Sequence, residues 1–120
     1  MDIVFTVHNN DKWNSIISGK FGRTEGFIRY SEENEKLSYH SNEENNTGHD
    51  VEIQAGQSVI NLEADVVITG GSMETKAFEL LKNAGVKIFS KIGEIPVKEA
   101  YEDLKKGRYN ETLKFDKQQT

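Results

Sequence analysis

The chain has 120 residues, with 15 Lys and Arg against 20 Asp and Glu, for a formal net charge of −5. That length supports one hydrophobic core rather than two, and the acidic balance argues against a generic nucleic-acid surface or an anionic membrane as partner. Cys is absent, which excludes disulfides, a cysteine nucleophile, thiolate zinc sites and iron–sulfur ligation by protein thiolates.

Ile3 to Val7 is short, apolar and β-branched, the pattern of a buried strand. His8 to Lys12 follows as a turn, since Asn and Asp tolerate turn geometry. Gly26 to Ser31 alternates, with Phe27 and Arg29 on one face and Ile28 and Tyr30 on the other. The polar turn Glu32-Glu33-Asn34-Glu35 returns the chain into Lys36 to Ser41, which makes the pair antiparallel. Asn42 to Gly48 is a polar loop. The period then changes: Val51, Ala55, Val59 and Leu62 form one stripe of a helix, with Asp50 at its positive end.

Asp65 to Thr69 reads as a buried strand ending at Gly70-Gly71. Ser72 is the expected N-cap of a second helix with the stripe Met73, Ala77, Leu80, Leu81 and Ala84, and Gly85 follows its end. Val86 to Phe89 is a short strand. The single Pro, Pro96, fits the first turn of a last helix carrying Val97, Ala100, Tyr101 and Leu104. Residues 108–120 are polar and without period, and are expected to fray. No apolar run reaches membrane-helix length, and Met1-Asp2-Ile3 lacks the pattern of an export signal, so a cytoplasmic location is expected.

A meander followed by βαβ units requires a mixed sheet with helices on both faces. In such sheets ligands bind beyond the carboxyl ends of the strands near a switch in strand order, which selects the loops after Val7 and after Thr69.

Several segments in this order resemble one family. They are Ser18-Gly19-Lys20-Phe21-Gly22-Arg23, Gly48-His49-Asp50, Asp65 to Gly70, Ala77 to Val86, and Glu99 to Gly107. Together they are similar to the dinitrogenase iron–molybdenum cofactor biosynthesis family, of the NifX and NifB C-terminal type, from about residue 2 to 109. The resemblance implies a ribonuclease H-like fold, a three-layer α/β/α arrangement around a mixed five-stranded sheet. The match fits a single domain over residues 1–109, and composition leaves residues 110–120 as a disordered polar tail. The implied role is non-catalytic: carrying or inserting an anionic metal–sulfur cluster or its precursor, with a cluster donor or acceptor protein as partner. The chain departs from the family at Gly71-Ser72-Met73, where Gly-Pro is common, and in the loop His8 to Asn14.

The expected cofactor-binding residues are Lys20, Phe21, Gly22, Arg23, His49, Thr69, Gly70, Gly71 and Ser72. Arg23 offers a permanent charge and five donors to an anion. Gly70 and Gly71 allow close backbone approach at a helix N-terminus. An iron–sulfur or molybdenum-containing cluster would be held without Cys, by charge and hydrogen bonds and with His49 as the one expected metal contact. His8 and His40 have no metal-ligand spacing with it. The Glu-rich turns lack calcium-loop spacing and read as solvated acidic surface. Asp2 and Asp65 stand at strand beginnings, the wrong end for two-metal nuclease chemistry. No Ser-His-Asp order or nucleophile elbow is present. The alternative reading is a metal-free interaction or regulatory module on the same fold.

Overall fold

The computed structural model describes residues 1–45 and 47–114. Five strands form one sheet: β1 (Asp2–Val7), β2 (Gly26–Ser31), β3 (Lys36–Ser41), β4 (Val66–Ile68) and β5 (Lys87–Phe89). Their order is β3-β2-β1-β4-β5. The β1–β2 and β2–β3 pairs are antiparallel, and β1–β4 and β4–β5 are parallel, with Ile3, Val4 and Phe5 opposite Val66, Val67 and Ile68. Three helices complete the fold: α1 (Val51–Asn61), α2 (Thr75–Asn83) and α3 (Val97–Lys105). The mixed five-stranded α/β architecture expected from the sequence is the one observed.

Alternation along the strands feeds two separate cores. Val4, Phe27, Val67 and Ile88 pack with Ala55 and Val59 of α1 and Ala77, Phe78 and Leu81 of α2. Ile3, Phe5, Ile28, Val66, Ile68 and Phe89 face the other way, onto Val97 and Ala100 of α3. β4 is therefore buried on both faces, as its unbroken Val-Val-Ile run requires. Each of its side chains contributes about 1.5–3 kcal/mol by leaving water. Arg29 shares a face with Phe27 and donates to Leu62 O at 2.8 Å and to Asp2 Oδ2 at 3.0 Å.

Local signals set most of the boundaries. Gly85 leaves α2 at φ +83° and Gly107 follows α3 at φ +72°, both in the left-handed region that glycine enters freely. Pro96 immediately precedes α3 rather than lying in its first turn. The expected cap at Ser72 is corrected: α2 begins at Thr75, with extended backbone at Glu74. Met73 is buried in the core, and Glu74 N, the donor a cap at Ser72 would have met, is taken by Glu52 Oε1 at 2.7 Å.

The C-terminal segment also departs from expectation at its start. Thr112 N donates to Ile88 O at 2.7 Å, Ser90 N donates to Thr112 Oγ1 at 3.1 Å, and Lys82 Nζ lies 3.0 Å from Glu111 Oε2. Tyr109 packs against the α3-side core. Residues 109–112 thus cover the outer edge of β5, a position where unpaired backbone groups would otherwise face solvent. The rest of the expected tail, residues 115–120, lies outside the described residues. No helix among the described residues is long and apolar enough to cross a membrane.

Candidate functional site

β1 and β4 are parallel neighbours, so their carboxyl ends lie side by side, but the segment Ser15 to Gly19 crosses directly over them. Ser18 N donates to Thr6 O at 2.8 Å, and Ser18 O accepts from Gly70 N at 2.9 Å and from Thr6 Oγ1 at 3.1 Å. Beneath it, Thr6 Oγ1 and Thr69 Oγ1 are 2.9 Å apart. The same segment continues the antiparallel pattern on its far side, through Ile17 N to Ile95 O and Val97 N to Ser15 O. The crevice expected at the switch point is therefore closed by backbone, and Thr69 is fully buried.

The open site is displaced toward α1 and α2. A cleft of about 490 Å³ is lined by Gly19, Lys20, Phe21, Gly22, Arg23, Val51, Glu52, Ser72 and Glu74. Its outer wall is the loop Gly19 to Arg23, anchored at both ends. At one end Glu94 Oε2 accepts from Gly19 N at 2.9 Å and sits 3.0 Å from His8 Nε2. The His8 contact, followed by the Gly19 N–H, holds the Glu94 carboxyl below its usual value. At the other end the buried Asn42 donates through Nδ2 to Gly22 O at 3.2 Å and Thr24 O at 3.0 Å. Phe21 is buried in the core beneath the loop, and Arg23 is exposed and donates to Gly48 O at 3.4 Å.

The inner wall is the first turn of α1. Gly22 backs onto it so tightly that a β-carbon there would stand 2.7 Å from Glu52 N. Glu52 Oε1 accepts from Glu74 N at 2.7 Å, which ties α1 to the start of α2. Burial, and then the Glu74 charge, push the Glu52 carboxyl up, against the lowering effect of that hydrogen bond.

Of the residues named from the sequence, the structure brings Lys20, Phe21, Gly22, Arg23 and Ser72 into one cleft. Thr69, Gly70, Gly71 and His49 are outside its lining. Gly70 and Gly71 have a packing role: β-carbons on them would meet Ser18, Gly19 and Gly93 backbone. His49 is exposed beside Gly48, His8 is engaged by Glu94, and His40 is on β3 opposite Phe27. No cluster of three or more His, Cys, Asp or Glu that could hold a metal ion exists among the described residues. Sequence reasoning missed Glu52, Glu74, Asn42 and Glu94. Only Glu52 had a local signal, as an acidic residue in a first helical turn.

The cleft thus brings an ammonium, a guanidinium and a hydroxyl together with the Glu52 and Glu74 carboxylates. No curated protein sequence matches the chain. Among solved structures it is similar to the apo form of the orange protein from Desulfovibrio gigas, with 24% identity over 97% of this chain and 96% of that one and a TM-score of 0.89. It is also similar to a Thermotoga protein of the DUF35 family provisionally named NifB, with 26% identity over 98% of both chains and a TM-score of 0.79. The sequence profile of the dinitrogenase iron–molybdenum cofactor family matches residues 1–107. A match over this much of the chain, on a fold shared from end to end with these structures, makes the protein a member of the dinitrogenase iron–molybdenum cofactor family.

Proposed function

We propose that this chain is a non-catalytic carrier for an anionic metal–sulfur cluster or its precursor, acting in cofactor biosynthesis or insertion in the cytoplasm. Residues 1–109 serve as the carrier domain, and a donor or acceptor protein exchanges the cargo. The observation that carries this reading is the cleft itself, where Lys20 and Arg23 stand on a glycine-bearing loop that is anchored at both ends, facing Ser72. A preorganised loop loses little further entropy on binding. Charge-assisted hydrogen bonds from Lys20 and Arg23 to sulfide or oxide on the cargo are each worth about 1.5–3 kcal/mol. His49 is exposed outside the lining and would meet only a cluster that extends beyond it, and Gly70 and Gly71 pack against Ser18 and Gly19 at the start of the cleft loop. Membership of the iron–molybdenum cofactor family supports the identity of the cargo class.

The test is anaerobic titration with tetrathiomolybdate, a soluble molybdenum–sulfur dianion, followed by desalting, visible spectroscopy and metal analysis. Wild type is expected to retain molybdenum and its absorbance, and Lys20→Glu to lose both. A wild-type protein that retains neither tetrathiomolybdate nor a reconstituted iron–sulfur species sinks the carrier reading and leaves the metal-free interaction module.

A further inference from the structure

We propose that Glu52 makes anion capture in this cleft proton-coupled, so that binding of the cargo draws protons onto this carboxyl. The inference rests on the anion-carrier reading above and specifies how that same cleft is regulated.

The charges lining the cleft are Lys20 and Arg23 against Glu52 and Glu74. With all four ionised they balance, so a dianion meets as much repulsion as attraction. Neutralising one carboxylate tips that balance toward the anion. The two are not equivalent: Glu74 is exposed, whereas Glu52 is partly buried against Gly22 in the first turn of α1.

Every element packed around Glu52 brings charged or titratable groups. The loop Gly19 to Arg23 supplies Lys20 and Arg23, the approach to α2 supplies Glu74, and its own segment supplies His49 and Asp50. Burial and the Glu74 charge already favour the neutral carboxyl. A neutral Glu52 keeps Oε1 as acceptor for Glu74 N and gains an O–H donor. It also leaves the cleft with one net positive charge. An arriving anion stabilises that protonated form further, so binding and protonation favour each other by linkage.

Calorimetric titration with tetrathiomolybdate at about pH 7, in two buffers of different ionisation enthalpy, counts the protons taken up. Wild type is expected to take up a fraction of a proton per anion bound. Glu52→Gln keeps the acceptor for Glu74 N, binds about tenfold tighter and takes up none. Wild-type binding without uptake, or uptake undiminished in Glu52→Gln, overturns the proposal and leaves the anion site standing. Failure of both proteins to bind overturns the anion-carrier reading, and this inference with it. Melting supplies a readout without ligand. Glu52→Gln should melt above wild type at about pH 7, and the difference should shrink as the pH falls through and below about 4, where the unfolded carboxyl also becomes neutral. Equal melting at neutral pH shows that the charge carries no burial cost and also overturns the proposal.

Discussion

Gly71 lies against the carbonyl of Gly19 so closely that a β-carbon on Gly71 would overlap that oxygen. The loop that ends β4 is thereby stacked on the segment that crosses β1, and the wall of the cleft starts from this contact. Gly71→Ala should destabilise the fold by about 2 kcal/mol, the scale of overpacking in a tight site. Urea melts of both proteins check this, and an unchanged midpoint would show that the two loops separate freely.

The central strand gives a harsher test. Val67 has no solvent exposure and packs between β4's neighbours and the α1–α2 layer. Val67→Ala should cost about 2 kcal/mol through lost transfer energy and a residual cavity. Val67→Asp should prevent folding, because an unpaired charge would be buried. A soluble Val67→Asp protein with a cooperative melt would contradict the two-sided burial of β4.

These two cases mark what was legible in the sequence. The Val-Val-Ile run and the alternation of Phe27 and Arg29 with Ile28 and Tyr30 are local patterns, and both faces emerged as read. The left-handed exit at Gly85 is likewise a one-residue signal. The path of Ser15 to Gly19 over the strand ends was hidden, because it depends on hydrogen bonds among Thr6, Ser18 and Gly70, which lie far apart in the chain. Glu94 and Asn42 were missed for the same reason: each holds the cleft loop across a long sequence separation. Ser72 misled because Ser before a helical stripe is a strong cap signal, and Glu52, 22 residues upstream of Glu74, takes the Glu74 N–H instead.

The C-terminal segment offers a stability prediction that composition alone would set too low. Truncation after Tyr109 removes the Thr112 bonds to Ile88 and Ser90 and the Glu111–Lys82 ion pair. At about 0.5–1.5 kcal/mol per net hydrogen bond, the loss should be about 1–2 kcal/mol in a denaturant melt. Thr112→Val, which removes only the hydroxyl bonds to Ser90 and keeps the Thr112 N–H to Ile88 O, should reproduce a smaller part of that loss in the full-length chain. A truncated protein as stable as the parent would mean that the docked segment contributes nothing to the β5 edge.

Acid stability should depend on Glu32. Its carboxyl is held at about 2, first by the Lys105 hydrogen bond and then by that of Tyr101, with the amino terminus 3.4 Å away. The value is depressed below that of the unfolded chain. Its stabilising effect is therefore fully present above about pH 4.5 and fades as the pH falls toward 2. Glu32→Gln should lower the melting temperature at neutral pH and show a flatter decline between pH 4.5 and 2. Parallel wild-type and variant curves across that window would remove Glu32 from the acid response.

Arg23 and His49 should separate in a binding experiment, although the sequence suggested them together. Arg23 lines the cleft and its guanidinium reaches Gly48 O, whereas His49 is exposed beyond the lining. A charge-assisted bond from Arg23 to a bound anion is worth about 1.5–3 kcal/mol, so Arg23→Ala should weaken tetrathiomolybdate binding between about tenfold and a hundredfold. The loss should shrink as salt rises, since an exposed charge is screened within about 10 Å at 0.1 M. His49→Ala should change the affinity by less than about twofold, within the range of surface substitutions. Both variants should melt close to wild type, because neither side chain is in a core. A stronger loss from His49→Ala than from Arg23→Ala would move the site out of the cleft and onto the loop before α1.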